Sequence, residues 1–580
     1  MNRFRPSVFL SLLIISCFAA GTATAQVPIE PGKLPARTMF YVVWRGMPAG
    51  AARQANSLFA LWDDPALAPA REAFAQNLVA NSKDKATQLS RAELDEFASF
   101  FDNAFILGYL PEPKGRAATA SPDGKKPQWN GFFFVYDHTG KEALMLKALL
   151  GLRLQKDAPV ASPTTIAGLP ATKFTSKSNS FYWADKGKFT IVGGERTVLE
   201  DVFSRFDNKA TGPALGEAAA FQEAQPQLNH GTFEFFLRIP DLNDVVPQDA
   251  TKGIPAKPIL DALRLDAIHS IYTSVSFEGP KTHLQGAILG DASPGTIFDI
   301  FADGQPSPAS LAFASADTIY FNSTQINFPG IYATVKRVTR SLFPQGQQGN
   351  ADMIETMAQT RLGMPVADAL ALLSGEFASI QSSPTMDTNK QVYFLGIRNK
   401  PQVLKLIHSL VGERVSAEHN EGDATFLKVS LGGSQSGAGV AQWNFYNIAV
   451  TSDALIGATR VDTLRQLLAQ RPQNAAGFGS TPQFQAARSK FPQTIEGINY
   501  VDFQKFDWPG LKDHWLKEIK KSSTTPAKSL NDQKATAAPP APLPAWLEQL
   551  DPQVFARHLH SAFAASWKDA KGVHFEQWLD

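Results

Sequence analysis

Residues 132–153 (FFFVYDHTGKEALMLKALLGLR) and 393–414 (YFLGIRNKPQVLKLIHSLVGER) superpose without a gap at a single offset of 261 residues. An internal repeat on this scale constrains the architecture more than any single motif does. In each copy an apolar, aromatic run leads through a turn into a segment of helical period. The inward stripe falls at Ala143, Leu146, Leu149 and Leu150 in the first copy, and at Leu404, Ile407, Leu410 and Val411 in the second. Gly151 and Gly412 follow where a left-handed residue would end the helix, with Arg153 and Arg414 at matching places.

Further blocks repeat in the same order. Ala36-Arg37-Thr38-Met39-Phe40-Tyr41 is echoed by Ala316-Asp317-Thr318-Ile319-Tyr320-Phe321. Gly193 to Leu199 matches Gly457 to Leu464, and Leu215-Gly216 with Phe221-Gln222 matches Phe478-Gly479 with Phe484-Gln485. The pattern predicts a tandem duplication. Element order is clearest in the second half, where Val392–Ile397, Thr425–Leu431, Asn444–Val450 and Ile498–Phe503 read as strands. Pro401–Val411 and Arg460–Gln470 read as helices, the first with proline in its opening turn. The order β-α-β-β-α-β predicts an α+β fold: a ferredoxin-like-type unit, repeated, with helices on one face of an antiparallel sheet. Asp95–Phe105 and Asp368–Ser379 add structure ahead of that core.

Gly290 to Ser310, rich in Gly, Pro, Ser and Asp, separates the halves. Pro111–Gln128 reads as a polar loop, and Ser522–Pro544 as a linker with polyproline character. The stripe Trp546, Leu547, Leu550, Val554 and Phe555 predicts a helical tail over Ala545–Asp569. The expected organisation is therefore a signal peptide (1–25), a first α+β repeat (26–290), a connector (291–310), a second repeat (311–506), and a linker with a C-terminal helical segment (507–580).

Arg3 and Arg5 followed by the apolar run Val8–Ala20 and by Ala23-Thr24-Ala25 have the pattern of a secretory signal cut before Gln26. Periplasmic or extracellular localisation follows as an expectation. Cys17, in Ile14-Ile15-Ser16-Cys17, offers a lipoprotein acylation site as the alternative. No later segment reaches the ~18 apolar residues of a membrane helix. Cys17 is the only cysteine, so the cut chain would hold no disulfide and would depend on its core. Its 44% hydrophobic content and 41 phenylalanines supply that core. Removing Arg3 and Arg5 takes the formal charge from +1 to −1, which gives no electrostatic reason to bind nucleic acid.

No residues group into a catalytic, cofactor-binding or metal-binding motif. His558 and His560 lie at i and i+2, on different faces of a helix, with no third ligand at metal spacing. Ser82-Lys83-Asp84-Lys85 meets S-x-x-K without a following K-T-G, and reads as a solvated loop. Gly432, Gly433, Gly437 and Gly439 miss the phosphate-loop and dinucleotide spacings. The acidic pairs Asp63-Asp64 and Glu93, Asp95, Glu96 suit helix starts. Phe132–Phe134 and Phe233–Phe236 suit core strands, with an apolar ligand cavity as the functional alternative.

Leu34-Pro35-Ala36-Arg37-Thr38-Met39-Phe40-Tyr41, its echo Ser315-Ala316-Asp317-Thr318, and Leu373-Ser374-Gly375-Glu376-Phe377 resemble a family of large exported bacterial proteins of unknown function. Its members begin after the signal with a Pro-Ala-Asp-Thr-like strand start. Arg37 departs from the acidic residue of that pattern, and Asp317 keeps it. The resemblance spans most of residues 34–506 and implies no activity. The expectation is a non-enzymatic envelope protein that binds an envelope protein, polymer or lipid. A carrier of hydrophobic ligands and a hydrolase with a site outside known motifs are the alternatives.

Overall fold

The computed structural model describes residues 28–81, 91–112, 130–142, 159–175, 180–228, 231–239, 256–343, 349–387, 390–430, 445–471, 477–524 and 545–580. The signal sequence with Cys17, the S-x-x-K segment, the first-copy helix with its Gly151, and the run Gly432–Gly439 lie outside the described residues. The chain divides into two compact units. Described residues of Met1–Asp63, Phe74–Ala250 and Asp266–Asp291 form the first, and those of Asp64–Ala73, Thr251–Leu265 and Ala292–Asp580 the second. The fold is α+β, with antiparallel sheet in each unit.

The first unit carries β1 (Phe40–Arg45), β2 (Ala104–Tyr109), β3 (Phe132–Asp137), β4 (Val160–Ile166) and β5 (Leu169–Thr175). It continues with β6 (Ser180–Lys186), β7 (Phe189–Gly193), β8 (Phe233–Arg238), β9 (Ile268–Glu278) and β10 (Lys281–Gly290). Their order across the sheet is β10-β9-β8-β1-β2-β3-β7-β6-β5-β4. Alternation places Tyr41 and Val43 of β1 on one face and Trp44 on the other. The first face is covered by the helix Arg196–Phe206, whose Val198, Leu199, Val202 and Phe203 are buried against Phe133, Ile191 and Tyr41. Each such side chain contributes about 1.5–3 kcal/mol by leaving water. The opposite face collects Tyr136, Phe174 and Trp183, with Phe100 stacked on Tyr136 at 4.2 Å.

The second unit carries β11 (Tyr320–Gln325), β12 (Leu373–Gln381), β13 (Gln391–Ile397), β14 (Val415–Glu421) and β15 (Ala424–Ser430). It continues with β16 (Phe445–Val450), β17 (Ala454–Ala458), β18 (Gly497–Asp502), β19 (Ser561–Asp569) and β20 (Gly572–Leu579). Their order is β20-β19-β18-β11-β12-β13-β17-β16-β15-β14. Strand for strand, this is the order of the first unit. The blocks paired by the offset of 261 residues, β3 and β13, hold the same place in their sheets.

Three expectations are corrected. The unit is larger than the four-stranded ferredoxin-like arrangement: four strands, not two, lie between the helices Lys400–Val411 and Val461–Gln470, and β18 pairs with β11. The C-terminal tail is helical only over Ala545–Gln549 and Gln553–His558. Beyond His558, Phe563, Ala565 and Trp567 alternate inward, and the chain forms the hairpin β19–β20 that extends the sheet from β18. In the helix Lys400–Val411, opened by the Asn399 side chain accepting from Gln402 N at 3.1 Å, Val403 is the buried residue and Leu410 is exposed. Gly412 is right-handed at φ −49°, because it opens a short 3-10 turn instead of stopping the helix.

Candidate functional site

In the first unit an open cleft of about 540 Å³ lies over β1 and β8, lined by Glu30, Pro31, Gly32, Lys33, Tyr41, Arg45, Phe221, Gln225, Leu228 and Glu234. Its parts come from four places in the chain. Residues 31–33 form a 3-10 turn set by Pro31. Tyr41 and Arg45 share a face of β1, two residues either side of Val43, and Val43 pairs with Glu234 on β8. Arg45 therefore meets Glu234 on the diagonal, within reach of a long side chain. Phe221 comes from the helix Ala219–Ala224, and Leu228 from just after it.

The charges are held in place. Arg45 Nη2 donates to Glu234 Oε1 at 2.9 Å and Nε to the Gly231 carbonyl at 3.1 Å, while Nη1 stands 4.0 Å from Glu30 Oε1. The Glu234 side chain is only 2% exposed, so desolvating it is costly without that guanidinium. Tyr41 is fully buried between Phe236 (5.6 Å between rings) and Phe221 (6.3 Å). Its hydroxyl has no hydrogen-bond partner among the described residues. Burial, and then the Glu234 carboxylate, hold the phenol proton well beyond its ordinary range. A buried hydroxyl left unpaired costs about 1–3 kcal/mol, so something must repay it.

The second unit has a cleft of about 920 Å³ at the same place, lined among others by Leu311, Ala312, Phe484, Arg488, Phe491 and Ile498. Phe321 pairs with Tyr500 as Tyr41 pairs with Phe236, and Ile498 pairs with Ser323 as Glu234 pairs with Val43. Gln325 stands where the first sheet has Arg45. At the three positions that carry the hydroxyl, the guanidinium and the carboxylate, the second sheet thus has Phe321, Gln325 and Ile498. Arg488 at the rim caps the carbonyls of Pro492 (2.6 Å) and Gln493 (2.5 Å), and burial lowers its ordinary basicity.

Two buried carboxylates lie in the second unit: Glu376, directly across from Gln325 on β12, and Glu496, just before β18. Glu376 accepts from Ala309 N (2.8 Å), Ser310 N (2.9 Å) and Ser323 Oγ (3.2 Å), which caps the 3-10 turn Ala309–Phe313. Glu496 accepts only a long bond from Ala302 N (3.4 Å) at Oε1, and Oε2 is buried without a partner among the described residues. Burial pushes its carboxyl up to about 7.

The residues weighed from sequence have structural tasks. His558 Nε2 lies 2.9 Å from Asp64 Oδ2, and no group of three or more metal-ligating side chains occurs among the described residues. Asp63 binds Arg53 through two bonds of 2.6 and 2.8 Å, and Asp64 caps the turn Pro65–Leu67 through Ala66 N. Asp95 pairs with Arg91 in the helix Arg91–Phe100. Phe133, Phe236 and Phe221 all belong to the core, and Phe221 also borders the cleft. Tyr41, Arg45 and Glu234 were missed. The echo of Ala36–Tyr41 ends on Tyr41 and Phe321; Arg45 takes the place of Gln325, and Glu234 becomes their neighbour, only through the strand registers of β1 and β8.

No family model matches the chain, and no curated protein matches its sequence. No helix among the described residues is long and apolar enough to cross a membrane. Solved structures similar to parts of it include three crystal forms of TP0453. Form I is 8% identical, covering 46% of this chain and 80% of that one, with a TM-score of 0.18. Forms III and IV are 10% and 9% identical, covering 46% and 45% of this chain and 82% and 81% of theirs, each with a TM-score of 0.19. A likeness this slight leaves the chain's role to be argued from its own geometry.

Proposed function

We propose that this chain is an exported, non-enzymatic binding protein of the bacterial cell envelope, built by tandem duplication of one α+β unit and holding a ligand in the cleft of its first unit. The identical strand order of the two sheets supports duplication. One observation carries the binding role: the first sheet holds a buried hydroxyl, a half-buried guanidinium and a buried carboxylate at places where the second sheet folds with Phe321, Gln325 and Ile498. Polar groups that the scaffold does not require, gathered in a cleft, serve a ligand. The cleft's two carboxylates both face the guanidinium of Arg45, an arrangement that suits holding a ligand. The exposed Val335, Leu342, Met353, Ile354 and Met357, from two touching helices of the second unit, are the kind of surface found on proteins that meet partners.

The test is a thermal-shift screen of small polar compounds on the full chain, beside a variant carrying Tyr41→Phe, Arg45→Gln and Glu234→Ile. A ligand present at about 100 times its Kd stabilises by about 2.7 kcal/mol, so hits should raise the Tm of the wild type by several degrees and leave the variant unmoved. A screen in which every hit shifts both proteins equally contradicts the reading. A second reading, the carrier of hydrophobic ligands, is favoured by the apolar wall of the second cleft, Leu311, Phe484, Phe491 and Ile498. Lipid co-purifying in native mass spectrometry, and lost on Phe484→Arg, would select it.

A further inference from the structure

We infer that the first unit's cleft takes a neutral, hydroxyl-rich ligand, a short run of sugar rings, and this inference rests on the binding reading above. Charge balance is the first ground. The carboxylates of Glu30 and Glu234 are matched by Lys33 and Arg45, so the cleft offers no net field to an anion or a cation.

Direction is the second ground. The gap of 4.0 Å between Arg45 Nη1 and Glu30 Oε1 is too long for a hydrogen bond, and one ligand oxygen beside it lies within reach of both. That oxygen must accept from the guanidinium and donate to the carboxylate, and a hydroxyl does both. The Tyr41 hydroxyl, buried and unpartnered, asks for a second group of the same kind. A ligand carboxylate or phosphate would accept from Arg45 and Tyr41 but face Glu30 and Glu234 with like charge. An ammonium would donate to the carboxylates but meet Lys33 and Arg45.

The wall is the third ground. Phe221 and Leu228, 3% and 6% exposed, reach the cleft only with their edges, a narrow apolar strip that the C–H groups of a sugar ring can touch while its rim of hydroxyls meets the polar groups. About 540 Å³ is within the range of small-molecule sites.

Saturation-transfer NMR on the full chain tests this with chitotriose, cellotriose and maltotriose as neutral probes, and with trigalacturonate and laurate as charged and apolar ones. At least one neutral trimer should bind, with Kd raised tenfold or more by Tyr41→Phe and binding lost with Arg45→Gln/Glu234→Ile. Phe321 holds the Tyr41 position in the second sheet, so Tyr41→Phe is a change the fold accommodates. If only trigalacturonate or laurate binds, and these variants weaken it, the ligand class is overturned while the binding reading stands. A neutral trimer that binds wild type and variants equally sits elsewhere and overturns the inference. Failure of all five probes also overturns the ligand class, and the compound screen then decides the binding reading separately.

Discussion

Glu496→Gln should flatten the response of stability to pH, and the reason is local. Glu496 precedes β18 and ties three segments together: its N–H donates to the Ser566 carbonyl at 2.7 Å, its carbonyl accepts from Gln325 N at 2.7 Å, and its side chain turns toward Ala302. The side chain sits in the interior, faced by Lys568 and Asp303. Burial raises its carboxyl from 4.5 to about 7, so the native state keeps a proton that the unfolded chain releases. Its contribution is full below the unfolded value near 4.5 and is lost as pH rises through 7. At about 1.36 kcal/mol per pH unit the full effect would be about 3 kcal/mol. Solvent at the rim reduces it to roughly 1–3 kcal/mol. Urea unfolding, followed by tryptophan fluorescence at pH 5 and pH 8, measures it, and Trp567 on β19 reports nearby. Wild type should lose roughly 1–3 kcal/mol more than Glu496→Gln between the two pH values. A difference between the proteins that is the same at both pH values, or that changes in the opposite sense, refutes the reasoning.

Other sites give sharper structural tests. Glu376→Gln places an amide donor against the N–H of Ala309 or Ser310 and should lower stability by about 1–3 kcal/mol, measured by urea unfolding. Asp64→Asn should remove a pH-dependent term of the opposite sign. The hydrogen bond with His558, followed by those from Ala66 and Arg557, holds its carboxyl below 3.8, so its contribution is fully present above 3.8 and is lost as pH falls below that value through the lowered one. The Tm gap between wild type and Asp64→Asn should therefore narrow from pH 7 to pH 3.

The repeat was legible because it rests on residues whose spacing is fixed by packing. The offset of 261 residues found β3 and β13, and period and capping found the helices Lys400–Val411 and Val461–Gln470 nearly to the residue. Two strands between those helices escaped. Val415–Glu421 is almost entirely polar and exposed, so it carries no alternation to read, and Ala454–Ala458 is too short. The tail was misread because the helical stripe through Phe555 runs directly into Phe563, Ala565 and Trp567, and only a period of two separates strand from helix there. The cleft was legible by half. Tyr41 and Arg45 differ from their counterparts Phe321 and Gln325, but their meaning depends on Glu234, 189 residues from Arg45 and brought beside it by strand pairing.

The most direct test of the account is equilibrium unfolding of the chain carrying Tyr41→Phe, Arg45→Gln and Glu234→Ile together. Replacing a buried ion pair by residues that pack is often neutral or stabilising by about 1–4 kcal/mol, and the second sheet shows these side chains fitting the same positions. The variant should be at least as stable as wild type and unable to bind, with Glu234→Ile alone destabilised because Arg45 loses its carboxylate partner. A triple variant that loses about 3 kcal/mol or more would mean that the three groups hold the fold together, and would contradict the claim that they are there for a ligand.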